Sequence, residues 1–460
     1  MFRLGAAVAA LLLLATFASG ATWGAEADAP LVIVGYDPAR ADAATLAIQA
    51  AGGEIRRSSP ELGFSVVAPR DPATFDRLMS ANPAIQYREK DDPTRLAGGQ
   101  WNGAQWNGAQ WNGGQWNGGQ WNGAQWNGAQ WNGGQWNGAQ WNAAQRNAFQ
   151  WSVAEFRSSG GGIAYDLATT DPGIVWQWGA WDIRAPQAWQ TTEGTSTATL
   201  CVLDSGVSLS HPDIAPNLWT GPLGEHGVNV LDPTATPDDD AGHGTHIAGI
   251  AAARVGNAYG VAGIGNARIM AVKVLDREGN GLEDQLAIGI AWCATHGADV
   301  AVMALSVTQP GPSLDRAIQF ATDRDVLLLA SAGNAGPCTN CVAYPARDPR
   351  VLAVSAVDGT GALAPFSSAG PEVDIAAPGV DVLGPFPGDR FAFGSGTSQA
   401  VAFAAGTAAL LRDAHPGLSA QQTRALLTST AHDIGPTGSD ASFGHGLLTT
   451  DAALAASVPT

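Results

Sequence analysis

The chain has 460 residues, 45% of them hydrophobic and 14% charged, and a formal net charge of -18 at pH 7. It is longer than one ordinary domain and apolar enough to bury a sizeable core. Its acidity excludes a nucleic-acid binder, because displacing counterions from phosphate needs a basic footprint.

Composition shifts divide the chain into residues 1–24, 25–95, 96–160 and 161–460. The first segment runs from Met1-Phe2-Arg3 through the apolar stretch Leu4–Phe17 to the small residues Ala18-Ser19-Gly20. A positive start, a short apolar run and a small-residue site mark a secretory signal peptide, and the run is too short to span a bilayer. No later stretch has the length of a membrane helix, so a secreted, extracellular protein without a transmembrane segment is expected.

In 25–95 the patterns alternate. Leu31–Val34 reads as a strand, Ala41–Ala50 as a helix stopped by Gly52-Gly53, and Glu54–Arg57 and Phe64–Val67 as strands. Pro72–Met79 reads as a second helix and Ile85–Tyr87 as a last strand. That β-α-β-β-α-β order is a small α+β ferredoxin-like unit.

Between Gln100 and Asn142 the unit Gln-Trp-Asn-Gly-Ala/Gly recurs every five residues, from Trp101 to Trp141. Five residues turn an α-helix by about 500°, so the tryptophans form no stripe, and in a strand an odd period flips every second one. Asn-Gly is a turn signal, which favours a chain of short turns. No charged residue lies between Leu96 and Gln145, which again excludes a grip on phosphate. Three readings stay open: a linker cut away in maturation, a surface that contacts carbohydrate or the cell surface through stacked Trp, and a self-packed repeat.

From residue 161, strand-like and helix-like runs alternate: Ala198–Leu203, His243–Ala253, Ile269–Val274, Asp284–Thr295, Val300–Leu305, Leu314–Ala321, Val326–Ala330 and Val351–Val357. Alternation of this kind predicts an α/β fold, a mostly parallel sheet flanked by helices on both faces. Cys338 and Cys341 are candidates for a tight local disulfide, with free thiols as the alternative. Cys201 and Cys293 either pair across a strand–helix contact or stay as buried free cysteines.

Three motifs carry chemistry. Asp204-Ser205-Gly206 follows a strand-like run, His243 lies between Gly242 and Gly244 at a helix start, and Ser398 opens the apolar run Ala400–Leu411. A serine hydroxyl attacks a carbonyl only when an imidazole takes its proton and a carboxylate holds the imidazole tautomer. At a helix N-terminus, Ser398 would also have free N–H groups and the dipole beside developing negative charge. His246 shares a helix face with His243, but the zinc signature needs Glu where Gly244 stands.

These motifs, in the order Asp, His, Ser, resemble those of the subtilisin-like serine proteases, the subtilases, from Gln177 to Ala453. The resemblance implies an endopeptidase acting as a monomer on protein or peptide substrates, with Ser398 as nucleophile, His243 as base and Asp204 as its orienter. It implies that Asn334, in the loop Ser331–Gly336, donates its amide to the oxyanion, and that no cofactor is required for the chemistry. It implies that 25–95 is an inhibitory, chaperoning propeptide, that 96–160 is a linker, and that the enzyme is an autoprocessed zymogen. Substrate contacts are implied for Ala304, Leu305, Ser306 and Gly333, with Ser306 standing where the family has a pocket-lining glycine. Gln399 stands where the family has methionine, which removes an oxidation site beside the nucleophile.

A structural calcium is implied at Asp213 of His211-Pro212-Asp213 and at Asn257, in a loop one residue longer than the family pattern, the alternative being a surface Asp and a turn Asn. Asp238-Asp239-Asp240 either favours basic residues in the substrate or is a solvated loop. The rival function is a catalytically silent scaffold that adheres to surfaces through its Trp repeat. A serine esterase would show Gly-x-Ser-x-Gly with the acid and histidine after the serine, and this chain shows neither.

Overall fold

Residues 31–96, the backbone of 100–102 and residues 169–457 are described by the computed structural model. The signal-like segment 1–24 and all of the repeat except 100–102 lie outside the described residues.

The first unit comprises β1 (Val32–Tyr36), α1 (Ala41–Ala50), β2 (Gly53–Ser59), β3 (Phe64–Pro69), α2 (Pro72–Ser80) and β4 (Ile85–Lys90), the order read from the sequence. Asp71 starts α2: its carboxylate accepts from Thr74 N at 3.3 Å, and Pro72 occupies the first turn, where no N–H is needed. The strands pair antiparallel in the order β2-β3-β1-β4. Side chains alternate across this sheet. Val34 and Val67 pack with Ile48, Phe75 and Met79 beneath the helices, while Ile33, Phe64 and Val66 join the core of the larger unit.

Two short strands, β5 (Pro93–Leu96) and β6 (Gln100–Asn102), continue from it. The larger unit then runs α3 (Trp178–Asp182), α4 (Ala185–Trp189), β7 (Thr199–Asp204), β8 (Gly227–Asn229), α5 (His243–Ala252), β9 (Arg268–Lys273), β10 (Asn280–Leu282) and α6 (Glu283–Thr295). After these come β11 (Val300–Met303), β12 (Leu305–Val307), α7 (Pro312–Thr322), β13 (Leu327–Ser331), β14 (Leu352–Val357) and β15 (Ile375–Pro378). The hairpin β16 (Val382–Phe386) and β17 (Arg390–Ser395) leads into α8 (Thr397–Ala414), α9 (Ala420–Ser429) and α10 (Thr450–Ala455).

Seven of these strands form one all-parallel sheet, ordered β15-β14-β13-β11-β7-β9-β8. The central strand β7 shows why the sequence reads as unbroken apolar runs. Leu200 and Val202 face the cluster shared with α5 and α8, and Cys201 and Leu203 face the cluster shared with α6 and α7. Cys201 is disulfide-bonded to Cys293 of α6, tying strand to helix, and Cys338 is bonded to Cys341. After β7 the chain fills β8 and β9 on one side, then crosses to β11 on the other. Such a reversal opens a crevice at the carboxyl ends of the strands.

Candidate active site

Asp204 is the last residue of β7 and fully buried, at the mouth of that crevice. His243 is the first residue of α5, and its Nδ1 lies 2.8 Å from each carboxylate oxygen of Asp204. A carboxylate only accepts, so Nδ1 carries the proton and Nε2 is left as the ring's basic nitrogen. Glycines make the approach possible. A Cβ on Gly244 would sit 2.0 Å from the Gly206 carbonyl oxygen, so only glycine lets the head of α5 press against the end of β7. A Cβ on Gly406 would meet the Ala251 carbonyl oxygen at 2.6 Å, so α8 lies tightly along α5. Ser398, the second residue of α8, is thereby carried to the histidine's helix; it is buried, and its Oγ donates to the Ala304 carbonyl at 3.4 Å.

Asp239 holds the head of α5. Its Oδ1 accepts from Ser205 Oγ at 2.9 Å, Ala241 N at 2.9 Å and Gly242 N at 2.8 Å, and its Oδ2 from Thr245 N at 2.9 Å and Thr245 Oγ1 at 2.6 Å. Ser205 Oγ accepts in turn from Gly244 N at 3.0 Å. The neighbours of Asp239 are also engaged: Asp238 accepts from Leu209 N at 3.0 Å, and Asp240 pairs with Lys273 Nζ at 2.6 Å. The acidic run is therefore an internal brace at its centre, where the sequence offered a solvated loop or a substrate-facing charge. The signal was available: an Asp ahead of a helix whose first N–H groups need acceptors.

Asn334 follows β13, and its Oδ1 accepts from Thr397 N at 2.9 Å and Thr397 Oγ1 at 3.0 Å. With Oδ1 held, the donating Nδ2 is turned away from Thr397. Thr397 Oγ1 accepts from Gly333 N at 3.1 Å, so Gly333 and Asn334 are locked to the head of α8. Sequence reasoning missed Thr397 as this clasp.

Leu305 and Ser306 lie on β12, directly after the buried Ala304. β5 runs antiparallel between β12 and β10, placing Leu96 opposite Leu305 and Arg95 opposite Ser306, with Thr94 between Val307 and Gly281. Leu96 N also donates to the Gly279 carbonyl at 3.1 Å. The crevice thus holds an extended strand of the chain itself. Behind Ser398, Gln399 is buried with its Nε2 at 3.3 Å from His246 Nδ1, while His246 Nε2 lies 3.0 Å from the Ala392 carbonyl. That carbonyl can only accept, so Nε2 bears the proton and Nδ1 accepts from Gln399. Burial pushes the His246 pKa down to about 3, which makes it a neutral core histidine.

Asp213 and Asn257 are brought together: Asn257 Nδ2 donates to Asp213 Oδ1 at 2.9 Å, and Val261 N donates to Oδ2 at 2.9 Å. Buried Asp171 accepts from Gly256 N at 2.7 Å and Ala258 N at 3.1 Å on the same loop. Burial pushes Asp213 up to about 7 and raises Asp171 as well, each disfavouring charge, with Asp171 adding repulsion at Asp213. Both carboxylates are thus occupied by N–H donors of the loop, and among the described residues no group of three or more His, Cys, Asp or Glu side chains could hold a metal ion.

A buried Asp–His pair at the end of a parallel strand, a serine at the head of the adjoining helix and a strand bound in extended form define a hydrolase of the serine-protease class. The family model described as the subtilase family matches residues 195–446, and the chain belongs to that family as a subtilisin-like serine protease. It is 38% identical over 270 residues to the thermophilic serine proteinase of Bacillus sp. (strain AK1), covering 58% of this chain and 65% of that one. It is 39% identical over 263 residues to thermitase of Thermoactinomyces vulgaris, covering 57% and 90%. Its fold is similar to the crystal structure of fervidolysin from Fervidobacterium pennivorans, a keratinolytic enzyme related to subtilisin, at a TM-score of 0.69 and 23% identity over 94% of this chain and 61% of that one. The chain therefore spans just under two thirds of the first of these relatives and of fervidolysin, and most of thermitase.

Proposed function

We propose that the chain is a secreted serine endopeptidase made as a zymogen, acting as a monomer on protein substrates without a cofactor. Ser398 Oγ attacks the peptide carbonyl while His243 Nε2 takes its proton, and the Asp204 carboxylate stabilises the imidazolium. Asn334 Nδ2 and Ser398 N–H meet the oxyanion, a kind of donor typically worth about 100- to 1000-fold in rate. His243 then gives the proton to the leaving amine, and water reverses the sequence to free the acid. The observation that carries this reading is His243 Nδ1 at 2.8 Å from both Asp204 oxygens, on a helix packed along the one that Ser398 opens.

Residues 1–24 act as the export signal and 25–95 as an inhibitory propeptide, followed by the repeat linker 96–160 and the catalytic domain 161–460. Support comes from β5, which lies where a substrate strand would, and from contacts that seat the first unit. Arg316 Nη1 of α7 donates to the Tyr36 carbonyl at 2.9 Å and to the Leu62 carbonyl at 3.2 Å, and Arg57 pairs with Asp284 of α6. Ala304, Leu305, Ser306 and Gly333 contact the substrate, and the Ser306 side chain narrows its pocket. Asp213 and Asn257, with Asp171 beside them, would hold a structural calcium only by exchanging the N–H donors on their carboxylates for the ion, which would stiffen the loop and take no part in the chemistry.

The test compares wild type with Ser398→Ala on casein and on a small ester. Hydrolysis of both by wild type alone, with unprocessed propeptide accumulating in the variant, is expected. Activity surviving in the variant would remove Ser398 from the mechanism, and an inactive wild type freed of 25–95 would leave the silent scaffold.

A further inference from the structure

Lys273, the last residue of β9, pairs in register with Asp204, the last residue of β7. It is buried, and each of its three ammonium protons has an acceptor: the Ser205 carbonyl at 2.6 Å, Asp240 Oδ1 at 2.6 Å and the Leu275 carbonyl at 3.0 Å. A lysine is almost never buried unless its charge is paired and its donors are met, and here both conditions hold. The strand position alone needs no such group, since its neighbours Ala271, Val272 and Val274 are apolar.

The three acceptors belong to three segments that meet behind the Asp204–His243 pair. Ser205 follows Asp204, and its N–H donates to Asp204 Oδ1 at 2.7 Å, the oxygen that also faces His243 Nδ1. Asp240 lies in the loop that leads into α5 and His243. Leu275 follows β9, and its N–H donates to the Asp204 carbonyl at 3.1 Å, next to that of Val274 at 2.9 Å. The loop and the Ser205 segment lie against each other: Val207 N donates to the Pro237 carbonyl at 3.0 Å, and a Cβ on Gly206 would meet that oxygen at 2.6 Å. Ser205 is therefore held at its N–H by Asp204, at its hydroxyl by Asp239 and Gly244, and at its carbonyl by Lys273. A residue gripped at all three points cannot turn, and its N–H stays on the carboxylate.

We propose that Lys273 is a positioning residue for the triad, acting through Ser205: it fixes the peptide whose N–H orients the Asp204 carboxylate under the His243 imidazole. It touches neither substrate nor the reacting atoms. The proposal rests on the protease reading of Asp204, His243 and Ser398. Without the ammonium, the buried carbonyls of Ser205 and Leu275 lose a donor each, and Ser205 turns to find another. Its N–H then leaves Asp204 Oδ1, and the carboxylate swings relative to the imidazole. A misplacement of about 1 Å at reacting groups can cost on the order of 100-fold in rate. Asp204 keeps the backbone pairing of β7, so the loss is smaller, about tenfold, and falls on kcat alone.

Lys273→Met keeps the length of the side chain and removes its donors. On a peptide anilide it should lower kcat about tenfold at unchanged KM, counted per titrated active site so that unfolded protein does not enter. In a Ser398→Ala background, the low-field NMR resonance of the proton between His243 Nδ1 and Asp204 should move or broaden, which a merely structural lysine would not cause. Lys273→Gln, whose amide still donates to one carbonyl, should lose about threefold in kcat, and it carries the test if the Met variant fails to accumulate. Asp240→Asn, at a side chain 56% exposed, should keep kcat within about twofold. Wild-type kcat with an unmoved resonance in the Lys273 variants would overturn the proposal. A loss in Asp240→Asn as large as in Lys273→Met would overturn it too, because the ion pair and not the grip on Ser205 would then carry the effect. Anilide hydrolysis that disappears in Ser398→Ala tests the protease reading by itself, so the two can fail separately.

Discussion

Asp239→Asn changes one atom of a buried carboxylate on which five donors converge, two of them from the turn that places His243. If the amide keeps its oxygen toward Ser205, Ala241 and Gly242, its NH₂ faces Thr245 N, which has no other lone pair to turn to. The Thr245 hydroxyl can rotate and accept; the backbone N–H cannot. The opposite flip is worse, setting an NH₂ against the N–H groups of Ala241 and Gly242. A buried donor left without a partner costs about 1–3 kcal/mol, and a lost charge-assisted bond adds to it, so about 3 kcal/mol is expected. For a domain of this size that lowers Tm by roughly 6–12 °C. Thermal unfolding in a Ser398→Ala background, where self-digestion does not interfere, reads the stability, and kcat in the active background reads the displacement of His243. A Tm within about 2 °C of the parent together with unchanged kcat would refute the bracing role.

Other consequences follow from single contacts. Thr397→Val leaves Asn334 Oδ1 one of its two donors, so kcat should fall about tenfold at unchanged KM while Thr397→Ser keeps the wild-type rate; a KM effect instead would place Thr397 in substrate binding. Chelation should lower Tm by several degrees if calcium sits at Asp213, as expected when a ligand that binds only the folded state is withdrawn, and an unchanged Tm removes the ion. At the propeptide interface, burial pushes Asp91 up to about 8 and Glu283 up to about 7, with repulsion from Asp284 and Glu89 adding to each. Raised carboxylate pKa values mean that the docked form holds protons the separated form releases. Their contribution to docking is complete below the ordinary range near 4 and is lost as pH rises through about 7–8. Inhibition by the cut propeptide should therefore weaken at least tenfold between pH 5 and 9, and inhibition that is constant or tightens contradicts the assignment.

The catalytic elements were legible because their signals are local. Leu200–Leu203 is apolar on both faces, and Asp204, His243 and Ser398 each stand at an element boundary marked by glycine. The first unit was equally plain, since Asp71-Pro72 and Gly52-Gly53 punctuate it and period-two runs fill the rest. Asp239 and Thr397 were not, because their roles lie in partners far along the chain, Ser205 and Asn334, and a run of three aspartates reads as solvated until one is seen buried. The edge strand β8, the outer strand β15 and the hairpin β16–β17 are short and glycine- or proline-bearing, and only pairing defines them. The repeat is described at one copy only, Gln100–Asn102, a short strand where the period favoured turns. Its five-residue period fits no long strand, yet a single triplet needs only a free edge, and β17 provides one.

The central claim is that Ser398 is a nucleophile activated by the His243–Asp204 pair. Labelling of the mature enzyme with a fluorophosphonate, followed by mass spectrometry, tests it most directly. One label per chain on Ser398 is predicted, with a labelling rate that falls on the order of 10⁴-fold in His243→Ala. Label on another residue, or an unchanged rate without His243, would contradict it.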